Sequence, residues 1–515
     1  MNTKRNIVAM LICFCVLFIL LCVYLVYIVS VYGIRWFTTP YNSRISAQKT
    51  TVKAGDIRDR NGLVLVFSDD DGNRLYTDDR SVRRACSHVI GDNYGQVFGA
   101  ETLYAHYLLG FDQSMPERIY QSAAGKREGS DIRLTIDARL NEYVYDMMDY
   151  YQGAVVVMNY KTGEVLSSVS QPTFDPKSMA DYLSGEKELA ESAMVNRVTM
   201  GRYTPGSVFK LITLTAALRY LPGIEERVFH CSGPLVFDRD SGRYLEGVQI
   251  SREEEKLFVN ENNGNERDTM PDEDADRGAE PPVREKYSLV RDYNGDYHGD
   301  ITLCEALEVS CNTSFGILAM EVGADKLAQT AGGFGIGKDF LFDDLVVYPS
   351  SFSKADSDLN LAWSGVGQYK DTMTPLQMCM ISSSIANEGV MMEPKMLRMV
   401  ITNQNKISKS VEPEIYSKPF KTNEAELLRE YMINAVENGT GRRAKIDGYT
   451  VGGKTGTAEI STGEGIQNHA WFTGFIYDED HPLSICIILE GAGSGGSIAA
   501  PIAKKIFEKA IELGY

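Results

Sequence analysis

Basic residues are scarce relative to acidic ones: 52 Lys and Arg stand against 70 Asp and Glu, a formal net charge of −18 over 515 residues. Phosphate binding needs clustered Lys and Arg, so nucleic acid is excluded as a partner. Cysteine is also sparse, with nine residues, too few for a disulfide framework in a chain this long. Cys13, Cys15 and Cys22 fall in an apolar segment and the rest are scattered without metal-ligand spacing. Neither metal, nor structural disulfide, nor cofactor is therefore expected. Long apolar runs are nearly absent. The single one, Ile7 to Tyr32, carries no charged side chain and is long enough to cross a bilayer as a helix.

Aromatic residues gather toward the far end of that run (Tyr24, Tyr27, Tyr32, Trp36, Phe37), as at a membrane interface. No small-residue cleavage site follows, so an uncleaved signal-anchor is expected. Lys4 and Arg5 place the N-terminus in the cytoplasm and everything after the anchor on the other face. The expected division is 1–34 as cytoplasmic tip and transmembrane segment, 35–135 as a small extracytoplasmic domain, and 136–515 as the main domain. In the first of these domains Asn61-Gly62 supplies a turn before the strand Leu63 to Val66, and its Arg/Asp cluster reads as a local ion-pair network. Residues 238–297 are rich in Glu, Asp, Asn, Gly and Arg, and read as an acidic, solvated insertion without the ligand spacing of a calcium loop.

The chemistry centres on Thr204-Pro205-Gly206-Ser207-Val208-Phe209-Lys210, which opens an apolar helical run. Lys210, three residues after Ser207, lies on the same helical face. Burial disfavours the charged form of a lysine, and a neutral lysine can take the proton of a serine. Ser-x-x-Lys occurs four times, at Ser46, Ser184, Ser207 and Ser351, but only Ser207 begins a long apolar helix. Two further patterns follow in order: Ser310-x-Asn312 and Lys454-Thr455-Gly456, the latter running on to Thr457. A second Lys-Thr-Gly, at Lys161, sits between two strands and reads as a hairpin turn. Helical periodicity carries the stretch from Asp300 through Ser310 to about Gly323.

This ordered set is the one described for penicillin-binding proteins and serine β-lactamases, with Ser-Cys-Asn here in place of Ser-Asp-Asn. The chain resembles the class B penicillin-binding proteins over nearly its whole length, in particular the shorter ones. Gly55 to Gly62, Gly153 to Val156, Ser170 to Pro176, Gly367-Gln368 and Thr374 to Gln377 carry the likeness. The resemblance implies an α+β transpeptidase fold, an antiparallel sheet flanked by helices with a helical lobe carrying Ser310. It implies a serine D,D-transpeptidase acting on peptidoglycan stem peptides ending in D-Ala-D-Ala, and acylated by β-lactams. The catalytic set carried over is Ser207, Lys210, Ser310, Asn312 and Lys454, with Thr455, Gly456 and Thr457 binding substrate. The N–H groups of Ser207 and Thr457 are implied as the oxyanion hole. A membrane glycosyltransferase of the SEDS type is implied as partner, and no glycosyltransferase domain is recognisable in the chain itself. A β-lactamase, a penicillin sensor and a catalytically idle scaffold are the competing readings.

Overall fold

The computed structural model describes residues 3–37, 52–113, 115–123, 127–259, 286–342, 344–462 and 465–515. Residues 260–285 of the acidic stretch and the Ser46 pair lie outside the described residues. The apolar run forms one helix, Thr3–Phe37, and its segment Lys4–Val29 is long and apolar enough to cross a membrane.

A five-stranded antiparallel sheet organises the body, in the order Val451–Thr462, Gly465–Ile476, Leu483–Leu489, Gly153–Asn159, Val165–Gln171. Its inner strands Leu483–Leu489 and Gly153–Asn159 are rich in Val and Ile because both faces are covered. Successive side chains alternate between faces, so one strand feeds two cores. Val155, Val157, Ile485 and Ile487 pack with Leu140 and Val144 of the helix Ala138–Met148 and with Ile506 and Phe507 of Ala500–Glu512. Ala154, Val156, Cys486 and Ile488 face the opposite core, which holds the helices Pro375–Ala386 and Lys210–Tyr220. Pro375–Ala386 is buried along its whole length, as its apolar circumference requires, and it opens with Pro375 behind a Thr374 cap. The α+β expectation is met. Lys161-Thr162-Gly163 forms the turn between Gly153–Asn159 and Val165–Gln171, as read from the sequence.

A second, six-stranded sheet runs Ile407–Ser410, Leu397–Ile401, Asp131–Leu134, Ile57–Arg58, Val64–Ser68, Arg74–Tyr76. It joins residues from before the first motif to residues far beyond the second. Arg83 clamps this region to the body with two bonds to Asp175, at 2.7 and 2.8 Å.

Two expectations need correction. The helical run from Asp300 is broken into Leu303–Glu308 and Asn312–Val322. The break lies at Ser310, whose φ of +62° is left-handed and ends an α-helix. The insertion at 238–297 is not solvated at its C-terminal end: Tyr287–Val290 pairs with Leu235–Asp238, and Val290 and Asp292 are buried. Apolar side chains on both strands outweigh the acidic composition around them.

Candidate active site

Three elements converge. Gly206–Phe209 is a tight 3-10 turn that runs directly into the helix Lys210–Tyr220, so Ser207 stands just ahead of the helix and Lys210 opens it. Lys210 is fully buried. Its Nζ donates to Ser310 O at 2.5 Å and to Asn312 Oδ1 at 2.7 Å, with Ser310 Oγ at 3.3 Å. Its backbone N–H donates to Ser207 O, and among the described residues no hydrogen bond joins its Nζ to the Ser207 hydroxyl. The amide of Asn312 is held in this orientation because its Nδ2 donates to Arg291 O at 2.8 Å.

The helix break presents the second element. Thr302 and Glu305 cap Leu303–Glu308 reciprocally, and Cys311 caps Asn312–Val322, its sulfur accepting from Ser314 N–H. Between the two caps, both polar groups of Ser310 turn toward Lys210. Cys311 points away from the cleft and is fully buried, so the Ser-Cys-Asn substitution leaves the outer two side chains on the site.

The third element is the edge strand Val451–Thr462. Lys454, also fully buried, donates to Ser310 Oγ at 2.8 Å and to Thr455 O at 3.0 Å. Gly456 lets this strand approach the serine turn: a Cβ there would sit 3.0 Å from Trp471 Cβ and 3.1 Å from Pro205 O. Trp471 Nε1 donates to Thr204 O at 3.0 Å and fastens the turn to the sheet. On the other side Gly206 N–H donates to Gly367 O at 2.7 Å, a contact so close that a Cβ on Gly367 would fall 2.0 Å from Gly206 O.

Ser207, Ser310, Asn312, Gln368, Thr455 and Thr457 line one cleft of about 980 Å³. These expected positions are thus brought together, and the buried Lys210 and Lys454 reach the cleft through their bonds to Ser310. The decoys are elsewhere. Lys187 and Lys354, of the Ser184 and Ser351 pairs, are exposed and bridge to Asp181 and Asp325. Two neighbours carry no sequence signal of their own. Thr440 accepts the hydroxyl of Thr455 at 2.9 Å and is held through Glu308 O, and Asp292 accepts the N–H of Asn312.

Electrostatics set the protonation. Burial lowers the Lys210 amine to about 8, against the partial opposition of Asp292. Burial, and then the charge of Lys210, hold Lys454 well below its ordinary range. Both amines touch Ser310 Oγ, so they stand no more than about 6 Å apart, where two like charges repel by roughly 3 kcal/mol at an effective dielectric of 20. The pair therefore disfavours two positive charges at once. A neutral amine has two N–H bonds, matched at Lys210 by Ser310 O and Asn312 Oδ1, and its lone pair is left for a hydroxyl.

A buried amine of this kind beside a serine activates the hydroxyl for acyl transfer. The sequence match narrows the class: residues 153–220 and 269–508 fit the penicillin binding protein transpeptidase domain, and the chain belongs to that family. It is 26% identical over 408 residues to peptidoglycan D,D-transpeptidase PbpA of Mycolicibacterium smegmatis, covering 75% of this chain and 73% of the relative. It is 27% identical over 514 residues to stage V sporulation protein D of Bacillus subtilis, covering 92% and 69%. In structure it is similar to the D,D-transpeptidase domain of a peptidoglycan glycosyltransferase from Eggerthella lenta. The TM-score there is 0.71 at 27% identity, over 90% of this chain and 99% of that one. The fold is also that of penicillin-binding protein A from M. tuberculosis, with a TM-score of 0.74 at 23% identity, over 90% and 99%.

Proposed function

We propose that this chain is a membrane-anchored serine D,D-transpeptidase that cross-links peptidoglycan stem peptides, with Ser207 as its nucleophile. The observation that carries this reading is the fully buried Lys210, held by Ser310 and Asn312 one turn from Ser207. Ser207 Oγ attacks the carbonyl between the two terminal D-alanines as Lys210 takes its proton. The N–H groups of Ser207 and Thr457 stabilise the oxyanion, each such donor being worth about 2.7–4 kcal/mol. As the C–N bond breaks, Ser310 relays a proton to the departing D-alanine amine. An amine of a neighbouring stem peptide then attacks the ester, forms the cross-link and frees Ser207. Thr455 and Thr457 hold the donor's terminal carboxylate with Lys454, and Gly456 lets their strand come close.

Substrate binding completes the proton arrangement. A carboxylate beside Thr455 favours charged Lys454, and that charge in turn favours neutral Lys210. The donor peptide thereby prepares the base that acts on it. β-Lactams, which carry an equivalent carboxylate, acylate Ser207 by the same route.

The proposed division is a cytoplasmic tip and anchor at 1–34, a pedestal at 35–135 and the transpeptidase domain at 136–515. The N-terminus lies in the cytoplasm and the cleft outside the membrane. A SEDS-type glycosyltransferase, supplying the glycan strands, is reached through the anchor and pedestal. Gel labelling with fluorescent penicillin tests the core of this reading. Wild type is expected to form a covalent adduct and Ser207→Ala none; an adduct on Ser207→Ala would sink the assignment.

A further inference from the structure

The strand that carries Lys454 continues past the serine. Val451–Thr462 is the outermost strand of the five-stranded sheet, and its ladder with Gly465–Ile476 runs out to the pair Thr462–Gly465. The next strand, Leu483–Leu489, accompanies this hairpin only as far as Ala470. The hairpin beyond Thr457 and Ala470 therefore projects as a two-stranded arm. Glu459 is the first charged residue past Thr457, and it lines the same cleft as Ser207, Thr455 and Thr457.

Strand geometry aims Glu459 at the substrate's path. Side chains alternate along a strand, so Thr455, Thr457 and Glu459 share one face, with Glu459 about 7 Å beyond Thr457. Backbone N–H and C=O groups alternate too, between the neighbouring strand and the open edge. The serine turn meets the open edge at Thr457, where a Cβ on Gly206 would lie 2.8 Å from Thr457 O. The N–H and C=O of Glu459 face that edge as well. The cleft is also charged unevenly. Arg442 and Arg443 line it near Thr440, whose hydroxyl accepts that of Thr455, and neither is ion-paired among the described residues. Glu459 has no ion-pair partner among the described residues, and the sequence places no Lys or Arg between Ala458 and Ala470. Asp292 and Glu308 line the cleft but are engaged, by Asn312 N–H and Asn434 Nδ2. Asp296 precedes Gly299–Thr302 in the lobe that carries Ser310, away from this strand.

We propose that Glu459 binds the side-chain ammonium of the donor stem peptide, on the residue next upstream of the two D-alanines. The inference rests on the transpeptidase reading and adds a substrate feature to it. With the donor's carboxylate at Thr455 and its scissile carbonyl at the N–H of Thr457, the donor runs antiparallel to the strand. Its upstream residues then pass Glu459. Donor and acceptor are stem peptides of one kind, so the amine that the acceptor supplies is present on the donor as well. The two D-alanines have no side-chain amine, which places it upstream. Glu459 stands about two residue steps beyond the N–H of Thr457, within reach of a long side chain on the next donor residue. The carboxylate pairs with the ammonium there and sets the donor's register on the strand.

The test uses the full-length chain in detergent and two thioester donors, α-N-acetyl-lysyl-D-alanyl-thioglycolate with its side-chain amine free or acetylated. The thioglycolate carboxylate takes the place of the terminal D-alanine's. Acylation of Ser207 breaks the C–S bond, and a thiol reagent reads the thioglycolate released. Wild type is expected to favour the free amine about fivefold in kcat/KM, carried by KM, the size that an exposed ion pair supports. That preference is expected to shrink in about 0.5 M salt. Glu459→Gln is expected to treat the two donors alike, and Glu459→Lys to favour a succinylated amine instead. Each variant is compared with itself on two donors, so partial misfolding cancels from the ratio. Equal kcat/KM for both donors in wild type overturns the proposal. So does a preference that survives Glu459→Gln, whether or not Asp296→Asn removes it. A wild type that forms the penicillin adduct but shows no preference fails this inference alone; one that forms no adduct fails the reading beneath it.

Discussion

Two buried lysines on one serine hydroxyl give the residue scale its most direct consequence. A base has to be neutral, and Lys210 sits at about 8 because burial disfavours its charge. Below that pH the amine is an ammonium and the acylation rate is expected to fall tenfold per unit; above it the rate levels off. Stopped-flow acylation by a chromogenic cephalosporin across pH 6 to 10 reads this directly, and a flat profile would remove Lys210 as the base. Lys210→Arg keeps a positive charge but holds its proton throughout, so its adduct is expected to vanish even at high pH. Ser207, Lys210 and Lys454 were legible in the sequence because their chemistry is local, a few adjacent residues opening a helix or riding a strand. Thr440 and Asp292 were not. Each acts on a named residue across a fold contact, Thr455 and Asn312 respectively, and neither carries a local pattern.

At the scale of elements, the break between Leu303–Glu308 and Asn312–Val322 is what makes Ser310 available. Its left-handed backbone disfavours a residue with a Cβ by about 1–2 kcal/mol. Ser310→Gly is therefore expected to be about 1 kcal/mol more stable than Ser310→Ala in chemical denaturation, while both label with penicillin far more slowly than wild type. Equal stability of the two would contradict the strain. The contact of Gly367 with Gly206 is less forgiving, since φ is +83° and a Cβ would overlap Gly206 O. Gly367→Ala is expected to cost ~3 kcal/mol or more and to displace the serine turn; a wild-type melting curve with normal labelling would count against that. Sequence periodicity missed the break because Leu303, Ala306, Leu307, Phe315 and Leu318 keep a helical rhythm across it. No Gly or Pro stands at the break between Glu308 and Asn312. The strands of the five-stranded sheet were easier to read, since Val and Ile runs of that length between turn residues have few other uses.

For the whole molecule, buried polar links help fasten the N-terminal region to the body, among them Arg83 to Asp175 and His88 to Ala193 O. Arg83 and Asp175 are largely shielded from solvent and bonded at both nitrogen positions. Arg83→Ala leaves a carboxylate without its partner, and a loss of about 3–5 kcal/mol is expected by analogy with other broken buried pairs. Urea denaturation followed by tryptophan fluorescence measures it, and a loss under ~1 kcal/mol would show the clamp to be dispensable. The sequence indicated an anchor, a smaller region and a larger one. It did not indicate that Leu397–Ile401 pairs with Asp131–Leu134, because no local property of either strand names its partner.

That pairing constrains the order in which the protein can be made. Ile57–Arg58, Val64–Ser68, Arg74–Tyr76 and Asp131–Leu134 emerge early, yet Asp131–Leu134 keeps a bare hydrogen-bonding edge until residue 401 has been synthesised. An uncovered strand edge is a template for unwanted pairing. For the time taken to translate the intervening chain, which contains all of Ser207, Lys210 and Ser310, the nascent protein exposes such an edge. A chain cut short before Leu397 would keep that edge open.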